Sequence, residues 1–190
     1  DGASANSITT AAASHDSSPF DVSSQDTFPV GLAFSTDGTK MFVVGLNDRD
    51  VNEYTLSTGF DVSTASFVDS FSVNSQETAP FGLAFNTDGT KMFVVGGIGD
   101  DVNEYTLTTG FDVSTASFVD IFEVGSQESS PRGLAFNTDG TKMFVVGSAG
   151  DDVNEYTLST GFDVSTASFV DSFDVSSQEG VPVGLAFNTD

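Results

Sequence analysis

Cysteine and tryptophan are absent from the 190 residues, histidine occurs once, and five basic side chains stand against 28 acidic ones. Without cysteine there is neither a disulfide framework nor thiol chemistry. A formal charge of −23 leaves no basic stripe to release counterions from phosphate, which excludes sequence-independent binding to nucleic acid or to an anionic membrane surface. Apolar residues make up 38% of the chain, but no run of them approaches the roughly 18 residues of a spanning helix. No basic and apolar leader opens the sequence, so neither membrane insertion nor an uncleaved signal peptide is expected. Helical spacing combined with a cap is missing throughout, so essentially no helix is expected.

What is present is a repeat. Gly31, Gly82, Gly133 and Gly184 each open a Gly-Leu-Ala-Phe segment, 51 residues after the one before. The unit Gly82–Arg132 matches Gly133–Val183 at 42 of 51 positions without a gap, and Gly31–Phe81 matches Gly82–Arg132 at 39 of 51.

Inside a unit the apolar period is two, and turn residues cut it into four segments. In the second unit Phe81-Gly-Leu-Ala-Phe85 runs into Asn86-Thr-Asp-Gly-Thr90, where Asp88-Gly89 signals a tight hairpin because glycine accepts positive φ. Lys91–Val95 returns antiparallel, Gly96–Gly99 is a loop, and Asp101–Leu107 is a third strand. After Thr109-Gly110 and a polar connection over Asp112–Thr115, Ala116–Val124 alternates as a fourth.

Met-Phe-Val-Val in the second strand is apolar on both faces, so each four-stranded sheet must lie between two others. Radial stacking of such sheets achieves this, and 51 residues suits one blade of a β-propeller while being too long for one coil of a β-helix. The segment Ala84–Gly96, AFNTDGTKMFVVG, resembles the strand–turn–strand signature of bacterial propellers of the YVTN, TolB-like and NHL-like kinds, and the likeness recurs over residues 20 to 190. Those families include binding modules, scaffolds and some enzymes. The expected fold is all-β, with blades starting near residues 31, 82 and 133 and a partial blade from 184.

Phe20 lies 51 residues before Phe71, so residues 14–30 are expected to supply an outermost strand, the kind that in closed propellers commonly completes the last blade. Three whole blades fall short of the roughly four to eight of a closed ring. A partial ring is therefore expected, completed by further sequence or by other chains. Residues 1–13 are small and polar and read as a flexible tail.

Few residues suit chemistry. His15 is the single histidine, beside the tail, where a solvated surface role suffices. No Ser-His-Asp set, HExxH, Walker loop or dinucleotide fingerprint occurs. Carboxylates recur by position. Asp48 with Asp50, Asp100 with Asp101 and Asp151 with Asp152, together with Glu77, Glu128 and Glu179, are expected on one face as an acidic rim. The pairs Asp100/Asp101 and Asp151/Asp152 are the candidate Ca²⁺ ligands, since a hard cation takes 6 to 8 oxygens, but no DxDxDG loop supports them. Asp37, Asp88 and Asp139 read as acceptors for turn amides. Glu53, Glu104 and Glu155, mid-strand beside tyrosines, are expected to accept hydrogen bonds from a neighbouring blade or a backbone amide, because an unpaired buried carboxylate is costly.

Differences between units gather at Leu46–Arg49, Gly97–Asp100 and Ser148–Asp151, and at Thr78–Phe81, Ser129–Arg132 and Gly180–Val183. Constant strands with variable loops on one face suit a diversified binding surface, although exposed loops tolerate change in any case. Phe81 and Arg132, at corresponding sites, are the leading contact candidates, with Arg49 and Ile98 from the other loop.

The sequence thus points to a non-enzymatic, secreted or surface-displayed module for binding, adhesion or structure, with a protein, a glycan or its own kind as partner and no required cofactor. A metal-dependent propeller enzyme of the lactonase or lyase type and a phage or filament component are the alternatives. Lysine depletion also suits a halophilic cytoplasm as the compartment.

Overall fold

The computed structural model describes residues 19–187. The tail at 1–13, His15 and the last residues, 188–190, lie outside the described residues. Among the described residues twelve strands form three four-stranded antiparallel sheets, each a simple meander. The first sheet holds β1 (Pro29–Phe34), β2 (Lys40–Gly45), β3 (Asp50–Leu56) and β4 (Ala65–Ser72). The second holds β5 (Pro80–Phe85), β6 (Lys91–Gly96), β7 (Asp101–Leu107) and β8 (Ala116–Glu123). The third holds β9 (Pro131–Phe136), β10 (Lys142–Gly147), β11 (Asp152–Leu158) and β12 (Ala167–Asp174). Among the described residues the helix is confined to three single 3-10 turns, Val62–Thr64, Val113–Thr115 and Val164–Thr166.

Turn chemistry sets the strand ends. Gly38, Gly89 and Gly140 have φ of 70°, 71° and 70°, and Asp37, Asp88 and Asp139 accept from the amides of Thr39, Thr90 and Thr141 at 3.0 to 3.1 Å. The Thr39 amide, with the Ser35 and Thr39 hydroxyls, holds the Asp37 carboxyl down to about 2. Phe60, Phe111 and Phe162 take φ near 60°, a strained choice for an aromatic residue. Their rings lie directly over those three glycines, where any Cβ would strike them.

The core sits between the sheets rather than within one. Phe42, Val44 and Val51 of the first sheet pack with Leu83, Met92, Val94 and Tyr105 of the second. Phe93, Val95 and Val102 pack likewise with Leu134, Met143, Val145 and Tyr156 of the third. Met41 and Val43, on the opposite side of β2, pack with Phe20, Val22 and Phe34. Alternate residues of one strand therefore serve two interfaces, the reason its sequence is apolar on both faces. The inner strands β1, β5 and β9 lie side by side, and the three sheets fan outward from them as blades.

Some expectations need correction. The fourth strand of the second blade ends at Glu123, and Val124 turns inward to full burial. Residues 14–30 do not form an outer strand within the described part: residues 19–28 carry no strand, and 14–18 lie outside the described residues. Residues 182–187 likewise carry none. A strand needs a ladder partner, and neither segment pairs with a described strand, although Gly184 lies close against Gly133 of β9. Their side chains still take blade positions: Phe20 meets Tyr54 edge-on at 5.4 Å, as Phe71 meets Tyr105 at 5.6 Å, and Phe187 lies 4.6 Å from Phe144.

Candidate functional site

The β2–β3, β6–β7 and β10–β11 loops and the connections between blades share one face, tied together by backbone bonds. Leu46 N–H donates to Phe28 O, Gly97 N–H to Ala79 O and Ser148 N–H to Ser130 O, at 3.0 to 3.2 Å. The expected acidic rim forms only in part. Glu77 and Glu128 are fully buried. Glu128 accepts from the amides of Ser130, Ala149 and Gly150 at 2.7 to 3.1 Å, and Glu77 from Ala79 at 2.6 Å. Asp26, one repeat earlier, accepts from Phe28 and Asp48 at 2.5 and 3.0 Å. Four-residue loops expose many amides, and a buried carboxylate satisfies several at once. These carboxylates staple two loops together and do not face solvent.

The candidate Ca²⁺ ligands have separate local roles. Asp100 and Asp151 occupy the left-handed region at φ 51° and 54°, and their carbonyls accept from Val124 and Val175 at 2.9 Å. Arg49 does the same in the first blade at φ 59°. Asp101 is buried, and its Oδ1 accepts from Asn103 Nδ2 at 2.6 Å; Asp152 and Asn154 repeat the bond at 2.7 Å. Among the described residues no three His, Asp or Glu side chains converge as metal ligands.

Burial pushes the Asp101 carboxyl up to about 6; the Asn103 hydrogen bond opposes this, while Glu77, Glu123 and Asp100 reinforce it. The folded chain therefore holds that proton more tightly than the unfolded chain, whose carboxyl titrates near 3.8. The stabilisation is full below pH about 4 and is lost as pH rises through about 6. Asp101→Asn keeps an acceptor for Asn103 and removes the buried charge. It should raise the thermal midpoint at pH 7, where the buried carboxylate is charged, and change it little at pH 4. Calorimetry at the two pH values checks this.

Phe81 and Arg132 do meet. The Arg132 guanidinium lies 3.8 Å over the Phe81 ring, a cation–π stack. Each sits at a register shift on its inner strand, as Val30 does in β1. A bulge re-aims one side chain without ending the ladder, and here it turns Val30, Phe81 and Arg132 toward a hollow between the inner strands, also lined by Val183. Arg132 Nε has no hydrogen-bond partner. Arg49 donates to Asn74 at 3.1 Å, and Ile98 is 69% exposed on the same loop face, so these two border the face and do not join the stack.

A second constellation links the blades. Lys40 Nζ donates to Glu53 Oε1 and to Phe111 O, both at 2.7 Å, and Val113 N–H donates to Glu53 Oε2 at 3.0 Å. Lys91, Glu104, Phe162 and Val164 repeat this at 2.6 to 2.9 Å. Glu53 and Glu104 thus accept from the next blade as expected, whereas Glu155 accepts only from Lys142 of its own sheet, at 2.6 Å. The lysine half was not foreseen, although Lys40 and Glu53 stand one strand apart with Lys40 opposite Thr55 and Phe42 opposite Glu53.

No family model and no curated protein matches the sequence. Solved structures match the fold. A protein from Lactobacillus plantarum superposes with TM-score 0.58 at 15% identity, over 82% of this chain and 43% of that one. The periplasmic gluconolactonase of Pseudomonas aeruginosa gives 0.56 at 18%, over 77% and 40%. A chain of the nidogen/laminin complex gives 0.57 at 16%, over 84% and 52%. The chain spans about two-fifths to one-half of the length of these structures. Together with the three radially stacked four-stranded sheets, they define an all-β protein of the β-propeller class, seen here as a partial propeller.

Proposed function

We propose that this chain is a binding module, secreted or displayed at the cell surface, whose recognition surface is the loop face around the inner strands, centred on Arg132 stacked over Phe81. One observation carries this reading. The inner strand is Pro-x-Gly-Leu-Ala-Phe in every unit, and x alone varies: Val30, Phe81, Arg132 and Val183. In the three paired strands that position is the bulge. Tolerance of change in exposed loops does not account for a variable residue inside an otherwise invariant, half-buried strand. An arginine held flat on an aromatic ring presents its edge to a carboxylate or carbonyl, and arginine and aromatic anchors dominate interface energetics. The partner class that fits is a protein offering such an acceptor beside an apolar group; a neighbouring structure solved as a nidogen/laminin complex supports a protein partner. Peptide-display and glycan-array selections on the wild-type chain test this. Binders should lose about 2 kcal/mol or more, some thirtyfold, against Arg132→Ala. Binders indifferent to Arg132→Ala and Phe81→Ala refute the site, and selection of glycans alone refutes the partner class.

A propeller lactonase is the second reading, supported by the gluconolactonase among the neighbours. It predicts lactone hydrolysis by the full chain and a raised thermal midpoint in micromolar Ca²⁺ or Zn²⁺. The binding reading predicts neither.

A further inference from the structure

Asp101, Asn103 and Tyr105 occupy alternate positions of β7, so their side chains share one face of the second blade. That face packs on the first blade, where Tyr105 joins Phe42, Val44 and Val51. The connection between these two blades brings Glu77 to the same place. It is buried against Gly96, which pairs with Asp101 across β6 and β7.

Two carboxylates are thus buried together between two whole blades, Glu77 fully and Asp101 at 6% exposure, and among the described residues no lysine or arginine pairs with either. Acceptors outnumber donors there. Glu77 Oε1 takes the Ala79 amide at 2.6 Å, but Oε2 has only a long contact of 3.4 Å from the Gly99 amide. Asp101 Oδ1 takes Asn103 Nδ2 at 2.6 Å, and its Oδ2 lies against Gly99, where a Cβ would stand 2.6 Å from it. Asn103 and Tyr105 are fully buried, and Asn103 Oδ1 and the Tyr105 hydroxyl have no hydrogen-bond partner among the described residues. Burial pushes the Tyr105 phenol up, and the charges of Asp101 and Glu77 add to this, which places the hydroxyl beside both. An amide oxygen can only accept, and buried charges are either paired or hold a metal ion.

We propose that this junction binds one Ca²⁺, with Glu77 Oε2, Asp101 Oδ2 and Asn103 Oδ1 as its protein ligands and water in the remaining places, the Tyr105 hydroxyl accepting from one of those waters. Two carboxylates balance the divalent charge, and an all-oxygen set suits a hard cation. The partner of Asp101 is therefore Glu77, from the preceding connection, and not its neighbour Asp100. The third blade repeats the residues as Glu128, Asp152, Asn154 and Tyr156, but Glu128 Oε2 already takes the Gly150 amide at 3.0 Å and Oε1 takes two more, so the second blade holds the stronger site. Few protein ligands put the affinity in the weak range of extracellular modules, roughly 10⁻⁴ to 10⁻³ M. The ion fastens the connection after the first blade to the third strand of the second.

Thermal midpoints of the full chain in EGTA, in millimolar Ca²⁺ and in Mg²⁺ at the same concentration separate this site from general screening of the −23 charge. Ca²⁺ should raise the wild-type midpoint by several degrees more than Mg²⁺, which dehydrates reluctantly. Asp101→Asn, the more stable of the two proteins in EGTA at pH 7, should lose the difference between the cations. Tb³⁺ gives an independent reading, because the chain has three tyrosines and no tryptophan to sensitise it. Emission excited through tyrosine should be displaced by millimolar Ca²⁺ and fall at least twofold in Tyr105→Phe. Equal rises in Ca²⁺ and Mg²⁺, or Tb³⁺ emission unchanged by Tyr105→Phe, overturn the proposal. A response already complete in micromolar Ca²⁺ that persists in Asp101→Asn belongs to another site and overturns it as well.

Discussion

Glu104→Ala should cost about 3 to 5 kcal/mol, and Glu155→Ala, the same change one repeat later, less than about 1 kcal/mol. Glu104 is 2% exposed and accepts from Lys91 and from Val164 of the next blade. Removing it leaves the Lys91 ammonium and a buried amide without their acceptor, and the penalty of stranding a buried partner exceeds the value of the bond itself. Glu155 keeps the Lys142 contact, but its side chain is 29% exposed, and water replaces what is lost. Urea unfolding of dilute protein should therefore separate two variants that sequence alone makes equivalent. Equal losses would mean that the blade contact does not carry the stability. Glu104→Gln tests charge apart from shape: it retains one acceptor oxygen, so a loss near that of the alanine variant assigns the cost to the ion pair.

Gly82→Ala should destabilise by about 3 kcal/mol, the upper end for overpacking, while Gly184→Ala should stay within about 0.5 kcal/mol. A Cβ on Gly82 would lie 2.8 Å from Arg132 O and 3.1 Å from Gly133 Cα, so backbone meets backbone at the axis and neither side can rotate away. A Cβ on Gly184 meets nothing within 4 Å. The glycine of Pro-x-Gly-Leu-Ala-Phe is thus needed for close approach of inner strands and not for an unusual φ. The same urea titration reads both variants, and a tolerated Gly82→Ala would mean that the inner strands stand further apart.

Much of this was legible beforehand. The Asp-Gly turns, the two-residue period and the doubly apolar Met-Phe-Val-Val fixed strand order and the need for neighbours on both faces, because these depend on local φ and on which side of a strand a residue falls. Glu53 and Glu104 were placed correctly from the cost of burying a lone carboxylate. The loop face was harder to read. Glu77 and Glu128 look like surface charge in a chain so acidic, and only the folded loops show how many amides converge on each. The stack of Arg132 on Phe81 joins residues one repeat apart, brought together by a bulge that no local signal announces.

The sequence by itself determined the blade, its four strands and its turns, since a period of 51 near-identical residues repeats the same local preferences each time. The tertiary structure decided what identical residues are worth. Lys91 and Glu104 are clamped between blades while Lys142 and Glu155 stand half open, and Leu83 is buried while Leu32 is exposed. Burial belongs to the neighbour a residue meets, and a repeated sequence cannot encode which of its copies stands at an edge.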